Sequence, residues 1–198
     1  AALRARTADP GLAALVEPFD PDRYNTNATL AENLLFGTPV DQAFEVDVLA
    51  SNPLVLRVLG EAGLTDDLIV IGRKVAETMV ELFAGLPPGH EFFEQFSFIS
   101  AEDLPQFQAL LGRTQPDVAP TNPADRARLL TLPFKLIDAR HRLGLFDDAL
   151  KQRLLAARGA LAVALAAEAP NAVAGFDPDT YNAAATIQDN ILFGKIAY

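Results

Sequence analysis

The chain has 198 residues, half of them hydrophobic and 21% charged, with a formal net charge of −10 and no cysteine. That length can bury a core in one domain or two small ones. The missing cysteine excludes disulfides, thiolate metal sites and a cysteine nucleophile, and the acidic balance argues against a nucleic-acid partner.

In chain order, the first signal is residues 19–37, FDPDRYNTNATLAENLLFG. Asp20-Pro21-Asp22 reads as a turn, because proline fixes φ and aspartate tolerates turn geometry. Thr29 with Glu32 three residues on makes a capping box. Leu30 and Leu34 put apolar groups on one side of about two helical turns, and Gly37 suits a left-handed C-terminal cap. From Thr65, with an acidic first turn at Asp66 and Asp67, the residues Leu68, Ile71, Val75, Met79 and Leu82 recur at three- and four-residue steps. They predict an amphipathic helix that stops at Gly85-Leu86-Pro87-Pro88-Gly89.

Residues 92–99, FFEQFSFI, are the one aromatic-rich run with extended character. Phe92, Phe93, Phe96 and Phe98 suit core packing, with a docking surface for a partner helix as the alternative. Ser100 and Asp103 cap a short helix that ends near Leu111, and residues 111–125 are a proline-rich surface connection. Asn122-Pro123 opens a helix to about Leu130, bent or restarted at Pro133. Leu150, Leu154, Ala157, Leu161 and Leu165 predict the longest helix, weakened at Gly159 by about 1 kcal/mol relative to alanine and stopped by Pro170. Its apolar run at residues 160–167 is cut by Glu168, far short of the ~20 residues that cross a membrane.

Residues 176–194, FDPDTYNAAATIQDNILFG, then repeat the first signal, with identities at 12 of 19 positions and a constant offset of 157 residues. That spacing is too long for a solenoid repeat. It reads as a duplicated loop-and-helix unit, at 18–37 and 175–194, flanking a helical insertion, 38–174, within one helical domain over 1–198. The fold class expected is all-α, a multi-helix bundle-like domain with proline-rich loops and little or no β-structure. Thr186 and Asp189 repeat the cap. Asn33 and Asn190 lie beside the apolar side of each short helix, where each amide either ties down the preceding loop or meets a partner. The Asp-x-Asp turn is not a calcium loop: counted from Asp20, Tyr24, Asn25 and Ala31 stand where an oxygen ligand, the glycine and the bidentate glutamate belong.

The segments ATLAENLLFG (28–37) and ATIQDNILFG (185–194) resemble a stretch of ABC transporter ATPases, of the type T-[IV]-x-[ED]-N-[IL]-x-[FY]-G, which follows the Q-loop and starts the helical subdomain. The resemblance covers about twenty residues per repeat. The phosphate loop G-x-x-x-x-G-K-[ST], the LSGGQ signature, an apolar strand ending in Asp-Glu and the Q-loop glutamine are all missing. The resemblance therefore implies a helical portion of an ABC-type ATPase, coupling or regulatory and not catalytic by itself. The parent would bind ATP and Mg2+, while this chain would hold no cofactor, metal or catalytic residue. Its partners would be the remaining ATPase domain and the transporter membrane domain, with a dimer through the parent, at the cytoplasmic face of the membrane and without inserting into it. The candidate partner contacts are Tyr24, Asn25, Thr29, Asn33 and Gly37, and Tyr181, Asn182, Thr186, Asn190 and Gly194. The absence of an initiator methionine and of a signal pattern in the opening AALRARTADP fits a piece of a longer protein. The alternative is an independent helical scaffold or adaptor.

Other chemistry is weaker. His90 and His141 have no partner histidine at i+4 and no nucleophile motif. His141 reads as a cation near a helix end. Glu91/Glu94 and Asp147/Asp148 are carboxylate pairs that a charged helix start explains. Arg126–Arg128 and the basic residues of 135–142 read as solvated helix faces.

Overall fold

The computed structural model describes residues 14–87, 90, 91, 93 and 97–198. Its helices follow the apolar periodicity closely. Strand β1 (Val16–Pro18) enters a loop and then helix α1 (Leu30–Leu35), which exits directly into β2 (Gly37–Pro39). Two single-turn 3-10 segments lead to α2 (Pro53–Glu61), where Asn52 caps the amides of Leu54 and Val55. Helix α3 (Thr65–Phe83) matches its predicted span and buries Leu68, Ile71, Val75 and Met79, but the last predicted position, Leu82, is exposed and Phe83 is buried instead. Helix α4 (Leu104–Arg113) follows, with the Asp103 amide bonded to the Ser100 hydroxyl. Then come α5 (Pro123–Phe134), the single turn α6 (Asp138–His141) and the long α7 (Asp148–Glu168). The chain ends with β3 (Val173–Gly175), α8 (Ile187–Leu192) and β4 (Gly194–Ile196).

The described residues are mostly helical, at 53%, but their 8% of strand corrects the all-α expectation. Strand β1 pairs antiparallel with β4, setting Glu17 opposite Lys195, and β2 pairs antiparallel with β3, setting Thr38 opposite Ala174. Each strand has three residues, too few to show the period-two alternation that reveals a strand in sequence. Both pairings also join residues more than 130 positions apart, so no local turn announces them.

One helix boundary also differs. Helix α5 continues past Leu130 through Pro133 to Phe134 without restarting. Proline leaves the carbonyl of Leu129 without its i+4 donor, and the backbone of α3 lies against that carbonyl at Gly72, where a Cβ would come within 2.8 Å of the Leu129 carbonyl carbon. The Pro–Gly crossing lets α3 and α5 pack at close range. Of the run with predicted extended character, Phe92, Glu94, Gln95 and Phe96 lie outside the described residues; Phe93 is helical and buried against Phe83, with ring centroids 4.9 Å apart.

The core lies between α3, α4 and α5 on one side and α1, α2 and α7 on the other. Helix α7 buries Leu150, Leu154, Ala157, Leu161 and Leu165, the five predicted positions, and also Arg158.

Candidate functional site

The two repeats fold alike in hydrogen-bonding detail. Thr29 Oγ1 accepts from the Glu32 amide at 3.1 Å, and the Glu32 carboxylate accepts from the Thr29 amide at 2.9 Å, a complete capping box. Thr186 Oγ1 likewise accepts from the Asp189 amide at 3.0 Å. Asn33 Oδ1 accepts from the Asn25 amide and Asn33 Nδ2 donates to the Asn25 carbonyl, both at 2.8 Å. Asn190 makes the same pair with Asn182, again at 2.8 Å. Asn25 and Asn182 in turn donate to the Glu17 and Ala174 carbonyls, at equivalent places in β1 and β3. Of the two readings left open for Asn33 and Asn190, both amides tie down their loops.

The predicted left-handed cap falls one residue early. Phe36 (φ 46°) and Phe193 (φ 48°) occupy it, and neither Gly37 nor Gly194 is among the positive-φ residues. A non-glycine residue there costs about 1–2 kcal/mol. The rings are held in place by edge-on contacts, Phe36 to Phe176 at 5.6 Å and Phe193 to Phe19 at 5.7 Å. The glycines serve close approach instead. A Cβ on Gly37 would lie 2.6 Å from the Ala174 carbonyl oxygen, and one on Gly194 would lie 2.8 Å from the Pro18 Cα.

The repeats interlock about a local twofold. The entry strand of each pairs with the exit strand of the other. The Phe19 amide donates to the Phe193 carbonyl and the Phe176 amide to the Phe36 carbonyl, both at 3.0 Å. On the twofold, the rings of Phe19 and Phe176 stack with centroids 3.8 Å apart and planes 4° from parallel.

Their surroundings differ sharply. Tyr24, Leu30 and Leu34 are 8, 0 and 1% exposed, under α7 and α5; their counterparts Tyr181, Ile187 and Ile191 are 68, 70 and 38% exposed. Of the predicted contact residues, Tyr24, Asn25, Asn33 and Gly37 are therefore buried within the chain and Thr29 is half-buried. In the second repeat Gly194 is buried, Asn182 and Asn190 are half-buried, and Tyr181 and Thr186 are exposed.

Arg158 anchors α7 to the first repeat. Its Nε donates to the Asn33 carbonyl at 2.6 Å, Nη2 to Asn33 Oδ1 at 3.1 Å, and Nη1 to the carbonyls of Pro21, Asp20 and Arg23 at 2.9, 3.2 and 3.2 Å. Its guanidinium sits 4.8 Å from the Phe36 ring centroid. Burial pushes its pKa down to about 10, against the pull of Tyr24, Asp20 and Asp22, so the cation persists at neutral pH. Burial, with Asp138 next, pushes the Tyr24 phenol far up, and its hydroxyl has no hydrogen-bond partner among the described residues. Sequence reasoning overlooked Arg158, although it falls between Leu154 and Leu161 at i+4 and i+3 on the apolar stripe of α7.

Lys195, also overlooked, joins the two caps. Its Nζ lies 2.8 Å from Glu32 Oε1 and 3.3 Å from Asp189 Oδ1. Burial alone would raise the Glu32 pKa, but Lys195 and the bonds from Thr29 outweigh it and hold the carboxylate below its usual range. Burial would likewise lower Lys195, and Glu32 and Asp189 outweigh it and raise its pKa. Two open clefts, of about 560 and 650 Å3, meet at Glu32. The first is lined mainly by apolar groups such as Leu35, Phe44 and Val46, and the second holds Asn27, Asp189 and Lys195. A carboxylate held ionised in this way serves as an ion-pair partner, not as a proton donor at neutral pH.

Asp147, His141, Arg126 and Lys135 have structural roles. Asp147 caps α7 through the Leu150 amide at 2.7 Å. His141 is not the helix-end cation expected. Its Nδ1 accepts from the Ile137 amide at 2.9 Å, and burial, then Arg140, lower its pKa, so it is neutral. Arg126 pairs with Asp66 and Lys135 with Asp47, both at 2.6 Å. Among the described residues no helix is long and apolar enough to cross a membrane, and no group of three or more His, Asp or Glu side chains is placed to hold a metal ion. No family model matches the chain, and neither curated proteins nor solved structures show a similarity to it.

Proposed function

We propose that the chain is a helical, non-catalytic coupling or regulatory portion of an ABC-type transport ATPase, acting by contact with neighbouring domains at the cytoplasmic face of the membrane. The observation that carries this reading is the unequal use of one motif. The first repeat is sealed under α7 and α5, while the second presents the same apolar face to solvent at Tyr181, Ile187 and Ile191. A rigid element with one face anchored and one face exposed suits relaying a change of state between neighbours. ATP and Mg2+ would be held by other parts of the parent, and the membrane domain would be a neighbour.

The motif shared with ABC ATPases supports the kinship. Its Thr, acid and Asn build the cap and the loop clamp, and its Gly permits the strand crossing. Those roles are equally suited to an independent helical adaptor. The test is calorimetric titration of Mg-ATP into the whole chain. No binding is expected, and a micromolar dissociation constant would defeat the reading. Recovery of the native protein with an ATP-hydrolysing partner would separate an ATPase portion from a free-standing adaptor.

A further inference from the structure

The two repeats are held together by a surface that each of them carries. Phe19 and Phe176 stack on the twofold, and their amides bond the carbonyls of Phe193 and Phe36 across it at 3.0 Å. Gly37 and Gly194 admit the opposite backbone in the same manner. Nothing in this surface requires both repeats to come from one chain. We infer that the second repeat is exchangeable: two copies of this chain form a dimer in which residues 172–198 of each take the seat of the same residues in the other. The turn at Ala169, Pro170 and Asn171 is the hinge.

Three observations support the assignment. The second repeat adds little to its own chain's core. Of residues 173–198 only Gly194 is buried, whereas the first repeat buries Phe19, Tyr24, Leu30 and Leu34. Its attachment is the interlock itself: the β1–β4 and β2–β3 pairs, the phenylalanine stack and the pairing of Lys195 with Glu32. Exchange rebuilds each of these contacts between chains. The hinge is also short. Helix α7 ends at Glu168, and the Ala172 carbonyl is already anchored by the Val40 and Asp41 amides at 2.8 and 3.0 Å. Three residues remain, closed by the Ala172 amide on the Ala169 carbonyl at 3.0 Å, with Pro170 and Asn171 exposed. Proline narrows the conformations of such a turn, and short, constrained hinges invite exchange. Finally, the stoichiometry closes. Each chain offers one first and one second repeat, so a pair of chains satisfies both and leaves no free mating surface to propagate. A closed chain presents its own second repeat at an effective concentration on the order of millimolar. Exchange therefore competes at about 1 mM chain and is suppressed at about 1 µM.

The test uses the double variant Thr38→Cys, Ala174→Cys. These residues are directly opposed in the β2–β3 pair, at a Cα separation that a disulfide spans, and the chain has no other cysteine. The variant is unfolded in urea with reductant and refolded at about 1 µM or about 1 mM. It is sized at once by light scattering, oxidised, and run on a denaturing gel without reductant. A dimer is expected only after refolding at the higher concentration, as about half of the chain. Its subunits should be covalently linked, because both cysteine pairs then join different chains. Inserting Gly-Ser-Gly after Pro170 in the cysteine-free chain should lower the dimer fraction at least about threefold. A monomer at both concentrations overturns the proposal. So does a dimer whose cross-links stay within one chain, since two copies would then meet by an unexchanged face. If the cysteine variant does not fold, the cysteine-free chain carries the test by light scattering, and a dimer indifferent to the hinge insertion overturns it. The inference stands on the interlock alone, and none of these results touches ATP affinity, so its failure and failure of the ATPase reading are told apart.

Discussion

Replacing Arg158 by methionine keeps a long apolar stem and deletes the guanidinium fork. The buried Asn33 carbonyl loses a charge-assisted bond of 2.6 Å, a loss of about 1.5–3 kcal/mol. Phe36 loses its cation, about 1 kcal/mol at a partly desolvated site. The carbonyls of Asp20, Pro21 and Arg23 border solvent and regain water, so they add little. Relief of the desolvation that depresses the Arg158 pKa works in the opposite direction. The net destabilisation is about 2–3 kcal/mol, or a fall in melting temperature of about 5–10 °C for a chain of this size. Urea denaturation followed by circular dichroism measures it, with Arg158→Lys as the companion. Lysine keeps the charge but reaches only one or two of the acceptors, so it should recover less than half the loss. A methionine variant within about 0.5 kcal/mol of wild type, or a lysine variant equal to it, would refute the anchoring role.

Gly37→Ala and Gly194→Ala should each destabilise by about 1–3 kcal/mol, because the new methyl meets backbone that cannot rotate away. Equal and additive losses in thermal melts would contradict the interlocked pairing, in which opening one strand pair loosens the other. The pH dependence follows from the shifted groups. His141 and Glu32 have depressed pKa values, so their contributions are present above about 6.5 and 4.3 and are lost as pH falls through the folded values. Lys195 has a raised pKa, so its contribution holds below about 10.4 and is lost above the folded value. Urea midpoints across this range should show a plateau with two acid steps. His141→Gln should remove the step just below pH 6.5 and Lys195→Met should flatten the one near pH 4. Wild-type slopes in both variants would show that other groups control acid stability.

Local decisions are legible in the chain: the caps at Thr29, Asn122 and Thr186, the apolar stripes of α3 and α7, and the duplication of one loop-and-helix unit. These depend on neighbours one to four residues apart, and their periodicity is visible in the text of the chain. The tertiary structure decided the rest. Three-residue strands acquire meaning only when the two repeats meet across 157 positions, and Gly37 and Gly194 are required by a partner strand rather than by their own dihedrals. The same motif became core in one place and surface in the other, because α7 and α5 cover only one of the two repeats. Burial is a property of what lies opposite, and two nearly identical sequences carry no record of which of them will be covered.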